Sequence, residues 1–235
     1  MEIQSSALLL ESPFRGYLSG SSGSGKSAFI LRLLENRSQI CKSTFERIIY
    51  SSIFELDHLS EKDAEFHKNL RKTVPFIELT SSLPDLDEIR ATNRGPTLLI
   101  LDDLITEIID SEQYSKLFTS FSAHSNISVL TTAQNFFEQG KYAKTIVRNQ
   151  TFHVIFNSRG DNQSISMISR KMFPHDKHFL NECFKWLSSR VSEQYKRYLF
   201  IDCSNSSNLP PTFPQVKTNL FNECAFFSPL FFAPK

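Results

Sequence analysis

Residues 20–27 read Gly20-Ser21-Ser22-Gly23-Ser24-Gly25-Lys26-Ser27, an unbroken G-x-x-x-x-G-K-[ST] pattern. No other feature constrains the fold as tightly. The pattern works only where a strand delivers a tight loop whose backbone amides converge and the next helix presents its N-terminus. Glycines permit that turn where a Cβ would obstruct it, and the resulting nest attracts anions. Lys26 is placed to reach the β- and γ-phosphates of a nucleotide, and the Ser27 hydroxyl to ligate Mg²⁺. Ser19–Ser24 alone would also suit a flexible Gly/Ser linker. The flanks oppose that reading: Phe14, Tyr17 and Leu18 lead in, and Ala28-Phe29-Ile30-Leu31-Arg32-Leu33-Leu34 leads out as a good helix former. The expected ligands are therefore a nucleotide and Mg²⁺.

A second signal lies at Leu98-Leu99-Ile100-Leu101-Asp102-Asp103, an apolar strand ending in two acids. In a Walker B arrangement Asp102 holds Mg²⁺, directly or through water, and Asp103 orients and deprotonates the attacking water. The alternative is that the acids cap the helix that follows. A third signal is Thr131-Thr132-Ala133-Gln134-Asn135 at the end of the next apolar strand. Gln134 there would stand beside the γ-phosphate and position the lytic water, against the alternative of an ordinary strand-end turn.

Around these motifs the chain alternates strand and helix, which predicts an α/β fold with a mostly parallel central sheet and helices on both faces. Strands are expected at Arg15–Ser19, Arg47–Ser51, Thr97–Leu101, Ile127–Thr132, Phe152–Phe156 and Arg197–Asp202, with a short extended piece at Val74–Leu79. Helices are expected at Lys26–Asn36, Glu61–Lys72 (facing solvent), Ser111–Phe121, Lys141–Arg148, Gln163–Met172 and Asp176–Ser189, and a loop at Ser81–Asp85. In chain order Arg47–Ser51 separates the loop strand from the acid-ending strand, and a further strand with a polar end follows. That succession is the additional-strand, RecA-like P-loop NTPase, with Asp103 in place of the usual glutamate. Residues 1–203 are read as the ATPase domain. Residues 204–235 are read as an Asn/Ser/Pro-rich loop and a Phe-rich tail without regular structure.

Composition removes several classes. With 40% hydrophobic and 22% charged residues the chain is globular, not disordered. A net charge of +1 means that any contact with a polyanion rests on a local patch. Cys41, Cys183, Cys203 and Cys224 have no zinc spacing and read as reduced thiols. No run approaches the roughly 20 apolar residues that span a bilayer, and no secretory leader is expected. Lys141, Lys144 and Arg148, three and four residues apart, would share one helix face, either lining a channel or merely exposed. Arg170, Lys171 and Lys177 form a second candidate patch.

The block Ser122-Ala123-His124-Ser125-Asn126-Ile127-Ser128-Val129, continued by Gln134-Asn135-Phe136-Phe137-Glu138-Gln139-Gly140-Lys141, resembles the viral genome-packaging ATPases of the FtsK–HerA superfamily, poxvirus-type branch. Phe156-Asn157-Ser158-Arg159 with Gln163, then Met172-Phe173-Pro174 and Tyr198–Asp202, are similar to later blocks of that family. The likeness runs from about Phe14 to Phe221. It departs at Ala123, where the family pairs a second histidine with His124, and at Ser158 and Gly160, where the family has Pro and Asp. The resemblance implies ATP hydrolysis coupled to moving double-stranded DNA into a preformed capsid, with sequence-independent grip on the DNA backbone. It further implies a homo-oligomeric ring docked on a capsid or portal vertex inside the infected cell, away from membranes. An arginine from the neighbouring subunit would complete each site, Arg159 being the first candidate and Arg148 the second. The rivals are a nucleotide-binding assembly protein with little turnover and another FtsK–HerA-type DNA translocase.

Overall fold

The computed structural model describes residues 10–53, 60–157, 162–193, 196–204, 215–218, 220–221 and 225–227. Its centre is a sheet of nine strands: β1 (Arg15–Ser19), β2 (Arg47–Ser52), β3 (Glu78–Thr80), β4 (Thr97–Asp102), β5 (Ile127–Ala133), β6 (Phe152–Phe156), β7 (Tyr198–Asp202), β8 (Gln215–Thr218) and β9 (Ala225–Phe227). In space they run β3-β2-β4-β5-β1-β6-β7-β8-β9. From β3 to β6 all neighbours are parallel, and β7, β8 and β9 continue antiparallel.

Strand alternation divides the core in two. On one face Tyr17, Leu99, Leu101, Val129, Ile155 and Ile201 join one apolar cluster. On the other face Leu18, Leu98, Ile100, Leu130, Val154 and Phe200 join a second. This period of two is what a sheet covered on both sides requires. The second face is roofed by α1 (Lys26–Glu35), α2 (Arg37–Ile40) and α3 (Glu61–Thr73), through Phe29, Ile30, Leu33, Leu34, Ile40 and Leu70. The first is roofed by α4 (Leu86–Thr92), α5 (Ile105–Ile108), α6 (Glu112–Lys116), α8 (Ala143–Arg148), α9 (Asn162–Met172) and α10 (Phe179–Arg190). A π-turn at Leu117–Phe121 and the short α7 (Ser122–His124) prolong α6 toward β5.

The mostly parallel α/β sheet with helices on both faces is as expected. One spatial relation was hidden in chain order. The strand between the loop strand β1 and the acid strand β4 is β5, and β2 lies on the far side of β4. Four local expectations are corrected. Helix α3 is not wholly solvent-facing: His67 and Leu70 are buried. The loop at Ser81–Asp85 leads into a helix, α4, which Asp85 caps by accepting from the Asp87 and Glu88 amides at 2.8 and 3.2 Å. Lys141 precedes α8 instead of belonging to it. Regular structure occurs within residues 204–235: among the described residues there, β8 and β9 add two strands to the same sheet. Hydrogen bonds secure that addition, from Thr218 Oγ1 to the Tyr198 carbonyl (2.7 Å) and from the Leu220 amide to the Tyr198 hydroxyl (3.0 Å). Phe221 then rests on α1, 5.2 Å from the Phe29 ring and 5.0 Å from the Arg32 guanidinium.

Candidate nucleotide site

The C-terminal ends of β1, β4 and β5 converge, and every described site residue read from the sequence except Arg148 gathers there. Strand β1 ends at Ser19, the loop runs from Gly20, and α1 begins at Lys26. Gly23 and Gly25 have φ of 73° and 117°, the left-handed region where a side chain is strained. Gly20 is required for a different reason: a Cβ there would lie 2.7 Å from both Phe156 Cβ and Ser24 Oγ. The first turn of α1 contains no acidic residue and receives no side-chain cap. Its amides and the positive end of its dipole are left for an external anion. Within the loop, the buried Ser24 Oγ has no hydrogen-bond partner among the described residues. Lys26 Nζ donates to the Gly20 and Ser21 carbonyls. Burial lowers its pKa, while the nearby Asp102 and Asp103 carboxylates oppose that shift.

Asp102 ends β4 and is only 7% exposed. Its Oδ1 accepts from Thr132 Oγ1 at 2.6 Å, and its Oδ2 accepts from the Tyr50 hydroxyl. Burial pushes the Asp102 carboxyl above the ordinary aspartate range; the two hydroxyl donors and Lys26 act in the opposite direction. Asp103 adopts a left-handed backbone, φ 57°, and its amide donates to Thr132 Oγ1 at 2.8 Å. The capping alternative fails, because the residue capping α5 is Leu104 and no side chain bonds there. Gln134 follows β5 and points Nε2 at Asp103 Oδ2, 3.4 Å away. The loop and the sensor strand are joined by the Gly20 amide, which donates to the Ala133 carbonyl at 3.2 Å.

Ser27 is exposed at the mouth of the loop. Together Ser27, Asp102 and Asp103 offer hard oxygen donors, the chemistry that Mg²⁺ takes. No group of three or more His, Cys, Asp or Glu gathers among the described residues.

Arg148 closes α8 and is exposed beside Lys144, one turn earlier. Lys171 of α9 joins them: burial first, then Arg148 and Lys144, lower its pKa, and its Nζ stands 5.8 Å from the Phe137 ring centroid. One residue of the second basic segment, Lys171, is therefore near Lys144 and Arg148 of the first. Arg159 lies outside the described residues, as do Ser158 and Gly160. His124 is exposed at the end of α7. Sequence reasoning missed Tyr50 and Thr132 as holders of Asp102. Tyr50 has the look of a core residue, and only strand order reveals that β2 and β5 flank β4.

A family model described as Poxvirus A32 protein matches residues 3–208 of the chain. No curated protein matches significantly. Among solved structures, the chain is similar to B204, the DNA-packaging ATPase from Sulfolobus turreted icosahedral virus. Identity is 13%, coverage is 94% of this chain and 100% of that one, and the TM-score is 0.52. The genome packaging NTPase B204 from Sulfolobus turreted icosahedral virus 2 in complex with sulfate gives 12% identity, 94% and 99% coverage and a TM-score of 0.52. The same protein in complex with AMP gives 12%, 93% and 98%, and 0.50. At these identities the likeness is one of fold.

Proposed function

The chain belongs to the poxvirus A32 protein family, and from that premise we propose that it is a viral DNA-packaging ATPase, a motor that couples ATP hydrolysis to moving double-stranded DNA into a preformed capsid. The observation that carries the reading is the uncapped, acid-free N-terminus of α1 behind Gly20–Ser27, facing Asp102, Asp103 and Gln134. The B204 structures, one of them holding AMP, have the same fold and support a nucleotide in this loop.

In this reading the loop amides and Lys26 hold the phosphates. Mg²⁺ would supply charge neutralisation between phosphate oxygens, with Ser27 and Asp102 holding it. Asp103 takes a proton from the attacking water, and Gln134, directed at Asp103, orients that water. Because γ-phosphoryl transfer spreads negative charge over the equatorial oxygens, an arginine entering from the next subunit of a ring adds about 10³–10⁵ in rate. Arg159 is the first candidate for that finger and Arg148 the second. The exposed Lys144, Arg148 and Lys171 are suited to gripping phosphates without reading bases. The protein works inside the infected cell, docked on the capsid or its portal vertex. No helix among the described residues is long and apolar enough to cross a membrane.

The test is DNA-stimulated ATPase activity of the full chain. Wild type is expected to be stimulated by double-stranded DNA. Lys26→Ala and Asp103→Asn should fold normally and lose at least about 10²-fold in turnover. A wild type that binds nucleotide but ignores DNA would favour an assembly protein and overturn the motor.

A further inference from the structure

One hydroxyl joins the two acids of the site. Thr132 Oγ1 donates to Asp102 Oδ1 at 2.6 Å and accepts from the Asp103 amide at 2.8 Å. A threonine hydroxyl has a single proton, so giving it to Asp102 leaves the oxygen lone pairs for the Asp103 amide. Both bonds are directional, and together they set where the Asp102 carboxylate and the Asp103 backbone lie relative to β5. The second bond matters because Asp103 sits at φ 57°, a conformation that needs support from its surroundings. Gln134 is two residues further along, just past the end of β5, and it reaches Asp103 Oδ2. Burial alone does not enforce such pairing at this strand end. Thr131, equally buried, leaves its Oγ1 without a partner among the described residues.

We propose that Thr132 is a positioning residue for hydrolysis: its hydroxyl fixes Asp102 and Asp103 in one geometry and ties both to the strand that carries Gln134. Tyr50 completes the arrangement by donating to the other Asp102 oxygen from β2. The inference rests on the hydrolytic reading of the site.

The test compares Thr132→Val, which keeps the volume and removes the hydroxyl, with Thr132→Ser, which keeps the hydroxyl. In the full chain Thr132→Val is expected to lower kcat by about 10–100-fold with KM for ATP within about threefold, and Thr132→Ser to return kcat to within about threefold of wild type. Binding of a fluorescent ADP analogue gives a readout independent of turnover. Mg²⁺ should tighten it in wild type and Thr132→Ser but not in Thr132→Val. Wild-type kinetics and Mg²⁺ response in Thr132→Val would overturn the proposal, as would equal impairment of the Val and Ser variants. If wild type itself shows no hydrolysis, the hydrolytic reading fails, and the Mg²⁺ response of analogue binding alone decides the role of Thr132.

Discussion

Asp102 is the most costly side chain in the site to keep charged. Its environment is nearly water-free, and burial favours the protonated acid. A carboxyl whose native pKa is raised contributes most to stability at low pH, and that contribution declines as pH rises past the ordinary aspartate range. Asp102→Asn removes the penalty, so at pH 7 it should unfold a few degrees higher than wild type while losing turnover. The gap in Tm should shrink as pH falls and the native carboxyl gains its proton. Thermal unfolding across pH 4–8 checks both statements. The placement of Lys26 and the glycines in a tight loop leading into α1 was legible because a contiguous motif encodes that local geometry. Asp103 was legible as an acid, but the reason for aspartate in place of glutamate was not. Its φ of 57° lies where Asp and Asn are favoured among residues bearing a side chain. Tyr50 and Thr132 were illegible as partners of Asp102. They reach it from strands far away in the chain, and residue type alone does not announce such a pairing.

Among the elements, long apolar strands read cleanly and short amphipathic pieces did not. Strands β4, β5 and β6 are buried along their full length, and the unbroken Leu98–Leu101 run of β4 says so most plainly. Helix α4 was missed although Asp85, followed by Asp87, Glu88 and Ile89, carries a capping signature. Prolines and serines between β7 and β8 hid β8, whose one buried apolar side chain among the described residues is Val216. Lys171 of α9 lies close enough to Lys144 and Arg148 of α8 for their charges to lower its pKa, and the proposed DNA grip of these three cations can be tested. Replacing Lys144, Arg148 and Lys171 by Gln should weaken DNA binding similarly across sequences. It should also flatten the slope of log K against log salt by about 0.9 for each DNA phosphate that is no longer neutralised. Basal ATPase of a Lys144→Gln, Lys171→Gln pair should stay near wild type while DNA stimulation falls. A salt titration of DNA affinity makes the measurement.

On the scale of the whole molecule, one chain brings Lys26, Asp102, Asp103 and Gln134 together, and the proposed arginine finger would come from a second chain. Mixing Arg159→Ala with Asp103→Asn subunits tests whether a second chain supplies it. Each variant alone should be inactive, and mixtures should recover a measurable fraction of wild-type ATPase at intermediate ratios. No recovery at any ratio counts against Arg159 in that role. The way the sheet finishes bears on how such chains meet. Its two outermost strands, β3 and β9, span three residues each, and on β3 the exposed Glu78 is engaged by Arg47 at 2.8 Å. A short, charged border such as β3 offers a neighbour little backbone to pair with. In the proposed ring the β3 edge would therefore meet a neighbour through side chains and not by extending one sheet into the next. Junctions of that kind can loosen and re-form at each turn of a nucleotide cycle without any hydrogen-bonded ladder having to be unzipped.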